Sequence, residues 1–137
     1  MSYKFENLEV WQLALEYTDH VYQIAEQLPD HERFNLAEQM KRAANSIALN
    51  IAEGSTGLSD REQARFLSIA SRSLIETVSA LHLIHRREYL DDLKPLRETY
   101  TFSEKLFAKL QSFRSTLKDD SSTVQERIPP YDEGTPF

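Results

Sequence analysis

The chain has 137 residues, 40 % hydrophobic and 28 % charged, the balance of one soluble globular domain able to bury about two-thirds of its surface without disulfide or metal staples. Three glycines and no cysteine exclude most β architectures, Gly-rich phosphate loops, thiolate nucleophiles and Cys-ligated zinc. The formal charge of −6 speaks mildly against a nucleic-acid binder.

The amino-terminal MSYKFENLEVWQLALEYTD interleaves acids with apolar residues, so it has neither the apolar core nor the cleavage site of a signal peptide. No stretch approaches the roughly 18 apolar residues of a membrane span. A cytoplasmic protein is expected, as the missing cysteines also suggest.

Helical periodicity fills the long segments between the few prolines and glycines. The first helix is expected from about Leu8 to Leu28, ahead of Pro29, with Val10, Ala14, Tyr17, Val21, Ile24 and Ala25 on one stripe. Trp11, Thr18 and Tyr22 widen that stripe beyond the ~100° that one partner layer requires. The excess predicts a second packing partner, a neighbouring subunit. The second helix runs from an N-cap at Asn35 to Glu53, with Gly54 placed to terminate it. The third begins at a Ser59-Asp60-Arg61-Glu62 capping box and continues to about Arg87. Its inward residues are Phe66, Ala70, Leu74, Leu81 and Ile84. The fourth runs from about Asp92 to Lys118, capped by Asp91, with Pro95 tolerable in its first turn.

Four helices on short connections predict an all-α, antiparallel up-down-up-down bundle over residues 1–118. From Asp119 to Phe137 the sequence DDSSTVQERIPPYDEGTPF has no helical stripe. It reads as an acidic tail, mobile or lying on a neighbouring subunit.

The most informative stretch is QMKRAANSIALNIAEG, Gln39 to Gly54. On a helical wheel Gln39, Arg42, Ser46, Asn50 and Glu53 share an arc of about 80°, beside an apolar face of Leu36, Met40, Ala43, Ala44, Ile47 and Ile51. Short amides and a hydroxyl between an Arg and a Glu suit a partly buried structural network or subunit interface. The third helix offers a counterpart arc of Arg65, Ser68, Arg72, Glu76 and Ser79. Arg42 with Glu76, or Arg72 with Glu53, would then join the two helices. The basic positions Lys41, Arg61, Arg65, Arg72, Arg86 and Arg87 are the candidates for nucleic-acid contact.

Residues Phe5, Leu8, Val10 and Trp11, then Pro29, Glu32, Phe34, Leu36 and Gln39, then RAANSIALNIAEG, and finally Phe66, Leu67, Ala70, Ser73, Leu74 and Glu76 resemble one known pattern. It is that of the four-helix bundle proteins encoded in intervening sequences of 23S ribosomal RNA genes. The resemblance implies a homo-oligomer, a pentameric ring in known cases, and neither an established catalytic activity nor a cofactor. Through similarity to the accessory protein of diversity-generating retroelements, it also implies RNA or DNA, or a reverse transcriptase-like enzyme, as partner. One departure is Arg72, where the family usually has Gly before the Ser-Leu-x-Glu of the third helix. Arg72 therefore either alters a close helix approach or points into wider space.

Other chemistries lack their signatures. His82, His85 and Glu88 stand at helical spacing for a metal, yet no histidine has a Glu three residues before it, as bundle di-metal sites require. No Gly-x-Ser-x-Gly elbow occurs. No metal site and no enzyme are expected. The charge is unevenly spread: residues 1–30 carry −5 and residues 119–137 carry −4, whereas residues 31–118, with 11 acids and 14 bases, carry +3. The acidic total therefore does not decide for or against a polyanion partner.

Overall fold

A computed structural model describes residues 2–57, 59–117 and 134–137. Apolar residues at helical spacing produce four α-helices and, among the described residues, no strand: α1 Glu9–Glu26, α2 Leu36–Gly54, α3 Asp60–Arg86 and α4 Lys94–Ser115. Short 3-10 turns at Lys4–Asn7 and Asp30–Glu32 precede α1 and α2. Each helix packs on its neighbour in the chain, and α4 also packs on α1. Their inward faces enclose one core, with Tyr17 and Ile24 of α1, Ile47 of α2, Leu74 and Ile84 of α3, and Leu106 of α4 fully buried. No described helix is long and apolar enough to cross a membrane.

Local chemistry sets the ends. Ser59 Oγ accepts from the Glu62 amide at 3.2 Å and starts α3, as its sequence predicts. Asn35 is the N-cap residue of α2, as expected, but its side chain donates to Glu32 Oε1 at 2.8 Å and makes no capping bond. At α4 it is Asp92, not Asp91, whose carboxylate accepts from the Lys94 amide, at 3.0 Å.

Gly54 does not end α2 through a left-handed turn; it is the last helical residue, and its φ is not positive. Its role is steric. A β carbon at Gly54 would lie 2.8 Å from Phe66 Cβ and 3.5 Å from the Gln63 carbonyl oxygen, so the missing side chain lets the end of α2 approach α3. At the far end of α3, Glu88 takes φ 55°. The Tyr89 amide then returns to the Ile84 carbonyl at 3.2 Å, closing the helix in the manner usual for glycine.

The over-wide stripe of α1 is used inside the chain. Trp11 meets Phe5 edge-on at 5.0 Å. Thr18 Oγ1 donates to the Ala14 carbonyl at 2.8 Å and lies 3.4 Å from the Ala44 carbonyl of α2. Tyr22 Oη accepts from Asn45 Nδ2 at 2.8 Å, with the Lys41 ammonium 5.3 Å from its ring centre. The stripe width therefore carries no argument for a subunit contact on this face. One buried polar pair ties α1 to α3. Thr77 donates to the Leu74 carbonyl at 2.6 Å, so its oxygen is left to accept from Tyr17 Oη at 2.7 Å. Burial in the core pushes the Tyr17 phenol far above its ordinary pKa.

Candidate functional site

Helix α2 places Gln39, Arg42, Ser46, Asn50 and Glu53 on one side, but only the middle of that stripe is a network. Ser46 and Asn50 are half-buried. Asn50 Nδ2 donates to Ser46 Oγ at 2.9 Å and to the Ser46 carbonyl at 2.7 Å. Ser73 of α3, nearly buried, donates to the same Ser46 hydroxyl at 2.9 Å. Gln39, Arg42 and Glu53 are exposed, which corrects the expectation of a continuous buried network. Arg42 pairs along its own helix with Glu38 at 2.6 Å. Among the described residues neither Arg42 with Glu76 nor Arg72 with Glu53 forms an ion pair. The physical reason is proximity: the i, i+4 partner is within reach without spanning two helices. Ser73, which sequence reasoning missed as a partner, could have been found from its place opposite the Ser46 turn.

The basic candidates separate into two groups. Lys41 covers the Tyr22 ring and belongs to the α1–α2 contact. Arg61, Arg65, Arg72 and Arg86 fall on α3 within an arc of about 60°, with Arg87 just beyond its end. All five are exposed. Only Arg65 has a carboxylate partner among the described residues, Glu62 at 3.5 Å. Arg72 points to solvent, so it does not disturb the α2–α3 packing. From Arg61 to Arg86 the row runs about 38 Å at 1.5 Å per residue. Guanidinium groups left unpaired in this way have their fork of donors free for oxyanions such as phosphate.

A second cluster was invisible in the sequence. Glu32, nearly buried ahead of α2, accepts from Asn35 and, at 2.8 Å, from Tyr89 Oη beyond α3. His31 Nε2 lies 3.2 Å from the same Tyr89 oxygen. The bond from Asn35, then that from Tyr89, holds the Glu32 carboxyl below its usual range, and the bond to Glu32 raises the Tyr89 phenol. Fifty-seven residues separate the two, too far for any local pattern to pair them. The cluster clamps the connection before α2 to the end of α3.

Among the described residues no group of three His, Asp or Glu is arranged to hold a metal. His82 and His85 instead lie with their rings 5.0 Å from that of Phe137. An open depression of about 430 Å³ on α1 is lined by Thr18, Asp19, Tyr22, Gln23 and Glu26. The Thr18 hydroxyl there is already committed to the Ala14 carbonyl. The expected tail from Asp119 lies largely outside the described residues, but Phe137 rests on α3 and α4 of its own chain.

A family model described as 23S rRNA-intervening sequence protein matches residues 6–112. A comparison with curated proteins gave no match.

Proposed function

The chain belongs to the 23S rRNA-intervening sequence protein family, and on that footing we propose a non-enzymatic, homo-oligomeric accessory protein that contacts RNA or DNA phosphates through α3. The observation that carries this reading is the row of exposed arginines. Arg61, Arg72 and Arg86 share one side of a 27-residue helix and, with Arg87, have no ion-pair partner among the described residues. The bundle does not use their charge. An up-down-up-down order suits the contacts, since Gly54 meets Phe66 near the α2–α3 connection while Glu32 meets Tyr89 at the far end.

Titration of fluorescent single-stranded RNA and duplex DNA at several salt concentrations tests the proposal. The logarithm of the affinity should fall linearly with the logarithm of salt. Each arginine replaced, Arg72→Ala or Arg61→Ala, should lower that slope by about 0.7–0.9 for every phosphate no longer neutralised. No binding to either probe at about 50 mM salt overturns it.

Self-association is supported by apolar side chains that the bundle leaves in water: Leu49 on α2, 61 % exposed, and Ile75 on α3, 53 % exposed. These also favour the second reading, a protein-interaction oligomer with no nucleic-acid contact. The pentamer is the assembly the family resemblance implies. Sedimentation of the full chain should give a concentration-independent oligomer that Leu49→Glu or Ile75→Glu disrupts. A stable monomer at micromolar concentration refutes self-association.

A further inference from the structure

Among the described residues, the Phe34 ring is the most open of the large apolar side chains, 81 % exposed. It stands between the Asp30–Glu32 turn and α2 and takes no part in the core. Yet the segment that carries it is fixed. The Arg33 amide donates to the Asp30 carbonyl at 3.1 Å and the Asn35 amide to the Glu32 carbonyl at 3.0 Å, while the Glu32 carboxylate accepts from Asn35 and Tyr89. The Arg33 guanidinium lies 5.2 Å from the Phe34 ring centre. The Glu32–Tyr89 bond also brings this segment to the end of α3, where Arg86 and Arg87 close the row of exposed arginines. We propose that Phe34 is a stacking platform for an unpaired base, so that the nucleic acid lying on the arginine row is single-stranded at its Arg86–Arg87 end. This rests on the reading of that row as a phosphate-binding surface.

Three observations favour a base over another occupant. First, phosphate contacts alone accept single strands and duplexes alike, whereas an open ring offers its face only to a base that has left the duplex stack. Second, the ring is held out by ordered backbone and has few side-chain torsions to lose, so little freedom is given up when a base settles on it. Third, its neighbours Asp30, His31, Arg33 and Asn35 are all polar and exposed. A contact with a second copy of the chain would need an apolar surround, while a base needs one flat apolar face and hydrogen-bonding groups for its edges. Asp30 and Glu88 stand in the same two loops as Arg33 and Arg87, so the local charge is nearly balanced. Phe34 therefore adds affinity through stacking rather than through charge.

The test uses the full chain with a fluorescent single-stranded RNA and the duplex of the same sequence. Phe34→Ala should weaken the single strand by roughly 5- to 100-fold, leave duplex affinity and the salt slope as they were, and leave the melting temperature unchanged. Phe34→Trp should keep the affinity, and its new indole should be quenched by the single strand and not by the duplex, against the constant signal of Trp11. Salt-dependent binding that Arg72→Ala weakens and Phe34→Ala does not overturns the stacking alone and leaves the arginine row standing. So does an equal loss for both probes. Altered sedimentation of Phe34→Ala with unchanged RNA affinity assigns the ring to a contact between copies and likewise overturns it. No binding to either probe at about 50 mM salt removes the arginine reading and this one with it.

Discussion

Gly54→Ala sets two local effects against each other. In a free helix the change stabilises, by up to about 1 kcal/mol and less in a last turn, because alanine loses less backbone freedom on folding. In this bundle the added β carbon would stand 2.8 Å from Phe66 Cβ, and ordinary contact begins at 3.4 Å. The helices must separate by about 0.6 Å, and Phe66 Cβ cannot swing aside, because it is fixed to the α3 backbone. Overpacking of this kind costs about 1–3 kcal/mol. The clash should win, giving a net loss of about 1–2 kcal/mol and a Tm lowered by about 3–8 °C in a chain of this size. Denaturant titration followed by circular dichroism measures it. Phe66→Ala keeps the offending atom and should not rescue, whereas Phe66→Gly removes it. The Gly54→Ala/Phe66→Gly pair should therefore show a coupling of about 1 kcal/mol in a double-mutant cycle. A Gly54→Ala protein as stable as the unaltered chain, or strict additivity with Phe66→Gly, would refute the steric argument.

The Tyr17–Thr77 pair predicts an asymmetry. Thr77→Val strands a buried phenol donor and should cost about 1–3 kcal/mol, while Tyr17→Phe leaves Thr77 still donating to Leu74 and should cost about 0.5–1.5 kcal/mol. The double variant should cost less than the sum of the singles, and equal, additive losses in urea titrations would contradict the donor assignment. Glu32 predicts an acid limb. Its carboxyl is depressed in the folded chain, so the unfolded chain takes up the proton first. The stability it contributes is present above the unfolded value of about 4.3 and is lost as pH falls through the lower folded value. Thermal melts between pH 7 and pH 3 should show a smaller acid loss for Glu32→Gln than for the unaltered chain, and parallel curves would count against the clamp.

Helix content was legible because one physical signal, apolar spacing near 3.6 residues, repeats over many residues; Leu36, Met40, Ile47 and Ile51 all lie in the core as their spacing predicts. The ends were less so. Asn35 and Asp92 depend on which acceptor or donor lies nearest, and residue type alone does not decide that. The α2 stripe shows the same limit in space. A wheel places Arg42, Ser46 and Asn50 on one side, yet it cannot say how far the neighbouring helix extends over them. Ser73 reaches only Ser46, and Arg42 settles for the glutamate one turn away. The width of the α1 stripe has a related origin, since Tyr22 and Thr18 also find partners on α2. Glu32 with Tyr89, and Phe137 with its two histidines, are pairings across the fold that no local period encodes.

The clamp at Glu32 bears on the order in which the molecule comes apart. Helices α2 and α3 share the largest helix interface. They are pinned at three levels, by the close approach at Gly54, by the Ser46–Ser73 hydroxyls and by the Glu32–Tyr89 bond. Such a pair is expected to open as one cooperative unit, with α1 and α4 losing amide-exchange protection before it. The arginine row is thus mounted on the pair expected to unfold last, while two of the side chains around Phe137, Arg97 and Tyr100, come from α4. A ligand on the first surface would meet a fixed template. Phe137, held by Arg97 and Tyr100, should in turn lend α4 some of its amide-exchange protection.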